Sequence, residues 1–246
     1  MSRWSTYVAV GDSLSEGLGD PLPGGRLRGW AAVLAEHLRQ AAPQLAFTNL
    51  AVRGHRTRDA IRRQLPAALA LRPDLVTVFI GGNDVLLNVR LDRARLDDEL
   101  DRLVAPLAQA AATVVLSTLP DLAARSPLLP PVRGRLRRRV ETVNEVTRDV
   151  ADRYDTLLLD AWAEPRTQEH AFWSFDRIHP SAEGHRLIAA SVAELLGVPA
   201  EANGGRAPVG LEGHGPAPVR ARGGVASPLG RDPTTGRSRG PDVSRE

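Results

Sequence analysis

Two hydrophobic periodicities alternate along the first 199 residues of the chain. Short apolar runs rich in β-branched residues are typical of buried strands, and they recur between segments of longer period. The runs predict strands at 6–10, 75–80, 113–117 and 156–160, with a weaker fifth strand at 45–50.

The segments between these runs have apolar residues three and four positions apart, which is the spacing of one helix face. They cover 30–41, 61–69, 96–107, 136–150 and 187–196. Because strands and helices alternate, we expect βαβ units and therefore an α/β fold, with a parallel sheet covered by helices on both faces.

The last 47 residues, 200–246, differ in composition from the rest. They contain ten Gly and six Pro and very few large apolar residues. Such a segment cannot bury enough surface to offset the entropy of ordering. We expect a disordered Gly/Pro/Arg-rich tail that follows a single domain at 1–199.

Bulk composition excludes some classes of protein. The chain has 246 residues and no cysteine, so disulfides and thiolate metal sites are excluded. No apolar run is long enough to span a membrane, and the N-terminus lacks the features of a signal peptide, so a cytoplasmic location is expected. All 32 basic residues are arginine and the net charge is only +3, which does not indicate a nucleic-acid-binding protein.

Polar and glycine-rich segments follow the carboxyl ends of the predicted strands. Such ends meet at one edge of a parallel sheet, where ligands bind. The first strand is followed by "GDSLSEG" with Ser13, the second by "AVRGHRT" with Gly54, and the third by "GGND" with Asn83. "DRIHP" follows the last strand after a loop and contains Asp176 and His179.

These residue types together can perform acyl transfer. A serine hydroxyl needs a base to accept its proton, and a carboxylate on the other imidazole nitrogen orients that base. Ser13, His179 and Asp176 are therefore the expected nucleophile, base and orienting acid. The backbone N–H groups of Ser13 and Gly54 and the side-chain amide of Asn83 could stabilise the oxyanion.

Two further aspartates are expected to support this site. Asp12 precedes the candidate nucleophile, and Asp84 could either orient Asn83 or tie down its loop. No G-x-S-x-G elbow occurs, so an α/β-hydrolase site of that type is not expected. Neither a metal site nor a cofactor is expected, because no spacing of metal ligands is present.

At these motifs the chain resembles the GDSL, or SGNH, hydrolase family over roughly residues 5–197. "GDSL" at 11–14, Gly54, "GGND" at 81–84 and "DRIH" at 176–179 match the four blocks of the family in order. The resemblance implies a flavodoxin-like three-layer αβα sandwich with a five-stranded parallel sheet, and hydrolysis of esters or thioesters without metal. Arg177 is a departure, since many members have glycine there.

Several other features have plain structural interpretations. His37 is expected in the core, His185 is expected to be structural, and His55 fits either the pocket or the surface. The arginine-rich run 133–139 is expected to be a solvated helix face. The proline-containing segments 20–30 and 120–133 are expected to be loops over the pocket.

Two alternative functions remain open at this point. An acyltransferase would use the same residues with an acceptor other than water. A non-catalytic binding protein could use the same scaffold, or could bind nucleic acid or phosphate through its basic tail. The expected partner is a small-molecule ester; the natural substrate and the oligomeric state are not predicted by the sequence.

Overall fold

The computed structural model describes residues 4–88, 90–111, 113–124 and 126–198. The predicted tail at 200–246 lies outside the described residues. No helix in the described ranges is long and apolar enough to cross a membrane.

Five parallel strands form one sheet, with the order β2-β1-β3-β4-β5. This is the flavodoxin-like order, and it confirms the predicted fold class. The strands are β1 (Thr6–Gly11), β2 (Ala46–Asn49), β3 (Leu75–Phe79), β4 (Thr113–Ser117) and β5 (Leu157–Leu159).

Helices connect the strands and cover both faces of the sheet. Two short 3₁₀ helices, Pro165–Gln168 and His170–Phe172, follow β5. The α-helices are α1 (Ser13–Glu16), α2 (Gly29–Ala41), α3 (Thr57–Arg63), α4 (Leu65–Ala70), α5 (Gly82–Leu87), α6 (Arg93–Ala110), α7 (Pro130–Arg153) and α8 (Ala182–Leu195).

The core consists of two apolar layers, one on each side of the sheet. Side chains of a strand alternate between the two faces. In β1, Val8 and Val10 therefore pack in the layer under α3, α4, α6 and α7. Tyr7 and Ala9 pack in the layer under α2 and α8, where Trp30 stacks on Phe79 with ring centroids 4.2 Å apart.

The strand order positions the candidate site. β1 pairs with β2 on one side and with β3 on the other, so the chain crosses over in opposite directions from β1. A crevice forms outside the carboxyl ends of the strands at such a switch point. Ser13 lies two residues after the end of β1, which places it at this crevice.

Some predicted boundaries need correction. The segment 120–133 is not a loop throughout, because α7 begins at Pro130. Proline suits the first turn of a helix, where its missing N–H has no partner to lose. The helix predicted at 61–69 is two helices that meet at Gln64, and Pro66 lies in the first turn of the second.

Candidate active site

The "GDSL" block forms the turn from β1 into α1. Asp12 caps this short helix, since its Oδ1 accepts a hydrogen bond from the N–H of Leu14 at 3.1 Å. Ser13 is the first helical residue, so its own N–H has no intrahelical acceptor. A Cβ at Gly11 would lie 2.4 Å from the carbonyl oxygen of Phe79, so only glycine allows this close approach of β1 to β3.

The "DRIH" block forms a closed turn directly before α8. Trp173 bridges to Pro180, and the N–H of Ser174 donates to the carbonyl of His179 at 2.8 Å. Ser181 then caps α8 by accepting from the N–H of Gly184 at 3.1 Å. The turn is therefore fixed at both ends, and the imidazole of His179 projects from a rigid segment.

A hydrogen-bond chain joins these two blocks across 166 positions of sequence. Nε2 of His179 lies 2.8 Å from Oγ of Ser13, and Nδ1 lies 2.6 Å from Oδ2 of Asp176. Because a carboxylate only accepts, Nδ1 carries the proton and Nε2 is free to accept from the serine hydroxyl. The three residues that the sequence analysis singled out are thus in direct contact.

Asp176 is held in its charged form. Its Oδ1 accepts from the hydroxyl of Ser174 at 2.7 Å and from the N–H groups of Ile178 and His179, both at 2.9 Å. Partial burial raises the pKa of Asp176, but the hydrogen bonds from His179, Ile178 and Ser174 together outweigh it and hold the pKa well below its usual range.

Arg177 is the residue where the turn departs from ideal backbone geometry. It has φ of +58°, which is a left-handed conformation that glycine adopts without steric cost. Glycine would therefore fit this backbone without strain. The arginine side chain is exposed in the turn that carries Asp176 and His179.

Gly54 and Asn83 face the same cavity as Ser13. Gly54 has φ of +79°, and in the described residues its N–H has no hydrogen-bond acceptor. Nδ2 of Asn83 lies 3.0 Å from the carbonyl oxygen of His55 and 3.4 Å from Oδ2 of Asp12. The three residues expected to supply oxyanion donors therefore line one cavity.

Asp84 contacts the first residue of α3 rather than Asn83. Its Oδ2 accepts from the N–H and the hydroxyl of Thr57, at 3.0 and 3.1 Å. Burial raises the pKa of Asp84, although both bonds from Thr57 lower it. These bonds anchor the turn that carries Asn83 and Asp84 to the start of α3, which directly follows the segment with Gly54 and His55.

Asp12 is almost fully buried, with 5% of its surface exposed. Burial raises its pKa to about 7, while the bond from Leu14 and the charge of His179 lower it and the charge of Asp84 raises it. A buried carboxyl with a raised pKa therefore directly precedes Ser13 in the chain and lies beside the amide of Asn83.

Gln64 contacts this site, although it was not among the residues predicted from the sequence. Its Oε1 accepts from the N–H of Gly11 at 2.9 Å, and its Nε2 donates to the carbonyl of Gly11 at 2.8 Å and lies 2.9 Å from Nδ1 of His55. The side chain thus joins the end of β1 to the loop that carries Gly54. A single glutamine between two helices gave no signal, because its partners are 53 and nine positions away.

A cavity of about 300 Å³ opens beside Ser13. Polar groups occupy the end with Ser13, Gly54, Asn83 and His179, and most of the remaining wall is apolar. That wall includes Leu14, Leu18, Phe79, Ile80, Leu86, Leu119, Pro120, Leu122, Leu159, Phe172, Trp173, Ile178, Leu187 and Ile188.

Three other histidines of the described domain take no part in the hydrogen-bond chain of Ser13, His179 and Asp176. His185 is fully buried, accepts from the N–H of Trp30 at 3.1 Å and donates to the carbonyl of Leu18 at 2.8 Å, so it joins α8 to α2. His37 is only partly buried, although a core position was predicted. His55 does not line the cavity. Within the described part of the chain, no group of three His, Asp or Glu residues could hold a metal ion.

Comparison with known proteins agrees with this arrangement. The chain is 30% identical to the esterase TesA of Pseudomonas aeruginosa over 196 residues, covering 78% of this chain and 87% of that protein. It is 28% identical to an acetylxylan esterase of Geobacillus stearothermophilus over 182 residues, covering 69% of this chain and 81% of that protein. The solved structure of LAE5, an α/β hydrolase from the metagenome of Lake Arreo, matches with a TM-score of 0.65 and 27% identity, covering 79% of this chain and 95% of that one.

The family signature covers nearly all of the described domain. A sequence model of the GDSL-like Lipase/Acylhydrolase family matches residues 9–187, a range that includes Ser13, Gly54, Asn83 and the 176–179 turn. The chain therefore belongs to the GDSL-like lipase/acylhydrolase family and is an ester-hydrolysing enzyme.

Proposed function

We propose that this enzyme cleaves carboxylic esters or thioesters of small or lipid-like substrates through a Ser-His-Asp triad and an acyl-enzyme intermediate. The observation that carries the proposal is the unbroken hydrogen-bond chain from Oγ of Ser13 through His179 to Asp176. A base oriented by a carboxylate and in contact with a hydroxyl is the arrangement that activates serine.

In the acylation step, Oγ of Ser13 attacks the acyl carbon and its proton passes to Nε2 of His179. The imidazolium then gives that proton to the departing oxygen or sulfur, so an alcohol or thiol leaves and the acyl group stays on Ser13. Asp176 remains ionised throughout, since its pKa lies well below the usual range, and it stabilises the imidazolium.

The negative charge of the tetrahedral intermediate needs donors on the side of the attacked carbonyl. The N–H groups of Ser13 and Gly54 and Nδ2 of Asn83 are proposed for this role, and all three residues line the cavity. Nδ2 of Asn83 is already engaged with Asp12 and His55, so the oxyanion must replace one of these partners. The contact with Asp12 is the longer one and is the one we expect to be exchanged.

In the deacylation step, a water molecule gives a proton to Nε2 of His179 as it attacks the acyl carbon. Collapse of the intermediate releases the acid, and the proton returns to Oγ of Ser13. An alcohol in place of water would produce a new ester with the same residues, which is the acyltransferase alternative. The comparisons with named esterases favour water as the acceptor.

We also propose that residues 1–199 are the whole catalytic domain and that 200–246 are not needed for the chemistry. The four motif blocks and all five strands of the sheet lie before residue 199. The family match likewise ends at residue 187.

A fluorophosphonate probe tests the triad. It should label Ser13 in the wild type and should not label Ser13→Ala. Ser13→Ala and His179→Ala should each remove most hydrolysis of a p-nitrophenyl ester, and the double variant should lose little more, because the residues act as a unit. Ser126→Ala, a loop serine remote in sequence from both blocks, is the matched control. Near-normal turnover by folded Ser13→Ala would refute the mechanism.

A further inference from the structure

Large apolar side chains that remain exposed are concentrated at one edge of the molecule. The described residues include nine such side chains, and eight of them follow the carboxyl ends of strands. Leu71, which precedes β3, is the exception. Single exposed apolar residues are ordinary, but a cluster around one edge marks an interaction surface.

We use the name apolar rim for six of these side chains. They come from the end of α5, from the start of α7 and from the turn before α8. They are Leu86, Leu87, Leu129, Val132, Phe175 and Ile178.

The apolar rim is continuous with the cavity at two of its six side chains. Leu86 and Ile178 line the cavity together with Ser13 and His179, although each is more than 40% exposed. Phe175 is fully exposed in the turn that carries Asp176. Nothing in the fold of the described domain requires an aromatic ring at that position.

The start of α7 extends past the sheet at this edge. Arg137 contacts Asp121 at 3.5 Å and lies over the ring of Trp162 at 5.4 Å, and these partners follow β4 and β5. Val132 lies five residues earlier, and a helix rises about 1.5 Å per residue. The first turn of α7, with Leu129 and Val132, therefore projects beyond the carboxyl ends of the strands.

Arginines beside the apolar rim lack carboxylate partners. Arg133, Arg135 and Arg138 on α7 and Arg177 in the turn are exposed, and no ion pair involves them in the described ranges. Further along α7 the pattern differs, because Arg153 pairs with Asp97 and Asp101 at 3.1 and 2.7 Å. The first turns of α7 thus present positive charge that no acid of the described domain neutralises.

We propose that this edge docks onto the surface of a lipid aggregate with anionic headgroups, so that an ester lipid passes from the aggregate into the cavity. Apolar side chains would enter the acyl boundary while arginines meet headgroup phosphates or other anions. This inference rests on the proposed function, because it takes the cavity to be the substrate site.

A lipid surface fits better than a protein partner for one reason. Leu86 and Ile178 belong both to the rim and to the cavity lining, and both are exposed, so whatever covers the rim also covers this open side of the cavity. A folded partner would exclude the substrate, whereas a lipid aggregate supplies it. The mostly apolar wall of the cavity then continues the apolar path from the aggregate to Ser13.

Vesicle sedimentation tests the docking directly. The full chain is mixed with phosphatidylcholine vesicles and with vesicles that contain phosphatidylglycerol. Wild type should bind the anionic vesicles at least tenfold more tightly. Phe175→Ser with Leu129→Ser should lose at least tenfold in affinity for them, whereas Leu71→Ser, at the opposite edge, should match the wild type. Arg135→Gln and Arg138→Gln should each weaken binding about fivefold and only on anionic vesicles.

Turnover separates docking from chemistry. On a soluble short-chain ester, Phe175→Ser with Leu129→Ser should keep the wild-type rate. On a longer-chain ester, the wild-type rate should rise steeply when the substrate begins to form micelles, and the double variant should lose that rise. If no ester were hydrolysed, the proposed function would fail while the vesicle result still stood on its own.

Three results would overturn the proposal. One is wild type that binds neither kind of vesicle. Another is that the variant with both Phe175→Ser and Leu129→Ser binds anionic vesicles with the same affinity as the wild type and Leu71→Ser. The third is a dimer, seen by size exclusion at working concentration, that Phe175→Ser dissociates, since a second copy would then be the occupant of the rim.

Discussion

The side-chain nitrogen of Asn83 lies 3.4 Å from a carboxylate oxygen of Asp12, although the two residues are 71 positions apart. The same nitrogen lies 3.0 Å from the carbonyl oxygen of His55, so both amide protons have acceptors. A proposed oxyanion donor is therefore oriented before substrate arrives, and one of its acceptors is a buried acid whose pKa is raised to about 7.

Truncation of the Asn83 side chain should raise the free energy of the transition state more than that of the bound substrate. If its amide meets the oxyanion as charge develops, Asn83→Ala should lower kcat by about 10²–10³-fold, while KM changes only a few-fold. The N–H groups of Ser13 and Gly54 would remain, so activity should not vanish. Steady-state kinetics on a soluble ester measures both constants.

A matched control for this variant is Asn88→Ala, at the end of the same helix. Asn88 accepts from Arg56 at 2.9 Å and does not line the cavity. It should lower the melting temperature slightly and leave kcat unchanged. If Asn83→Ala behaved in the same way, Asn83 would be a structural residue of the turn.

The raised pKa of Asp12 predicts a dependence of stability on pH. Burial raises the pKa from 3.8 to about 7, so the native state keeps a proton that the unfolded chain releases above about pH 4. The stabilisation of the folded state by this retained proton is fully present below the pKa of Asp12 in the unfolded chain. It is lost as the pH rises towards 7. Relative to Asp12→Asn, which cannot ionise, the wild type should lose melting temperature between pH 4 and pH 8.

Thermal melts of the two proteins at several pH values measure this effect. Each kcal/mol corresponds to about 2–4 °C for a domain of this size. Asp84 also has a raised pKa, but it is present in both proteins and largely cancels in the comparison. A constant difference in melting temperature across this range would mean that Asp12 does not titrate near neutral pH.

The backbone of Arg177 predicts an unusual order of substitutions. Its φ of +58° disfavours side chains branched at Cβ, so Arg177→Val should lose about 1–3 kcal/mol of stability. Arg177→Gly should be at most about 1 kcal/mol less stable than the wild type. Relief of backbone strain in the folded state offsets the greater conformational freedom of the unfolded chain. Differential scanning calorimetry ranks the stabilities of the wild type, Arg177→Val and Arg177→Gly.

Arg186→Val, at an exposed position of α8, is the control for this series. It should cost only the small helix propensity of valine. If Arg177→Val had the same melting temperature as Arg186→Val, the turn would accommodate valine without strain.

Deletion of 201–246 should leave the catalytic domain intact. The composition of this segment predicts disorder, and the sheet is complete without it. Both kcat on a soluble ester and the melting temperature should stay within the error of the wild-type values. A fall of several degrees would mean that the segment packs on the domain.

Local pattern accounts for most of the fold. Hydrophobic period depends only on neighbours along the chain, so all five strands and the long helices could be located from it. The predicted ends of helices and strands were less accurate than their positions. The proline-rich start of α7, for example, has the composition of a loop, and its sequence alone does not reveal the packing that makes it helical. The flavodoxin-like sandwich was expected from the resemblance to a family and not from periodicity, and the structure supplies the strand order β2-β1-β3-β4-β5.

The sequence by itself determined the chemistry available at the site, since Ser13, Asp176 and His179 are residue types with defined acid–base properties in recognisable blocks. Only the tertiary structure decided which groups meet. It joins Asp12 to Asn83, pairs Asp84 with Thr57, and brings Gln64 against the end of β1. The physical reason is that such contacts, and the burial that shifts the pKa of Asp12, depend on how distant segments pack around one sheet and leave no periodic trace along the chain.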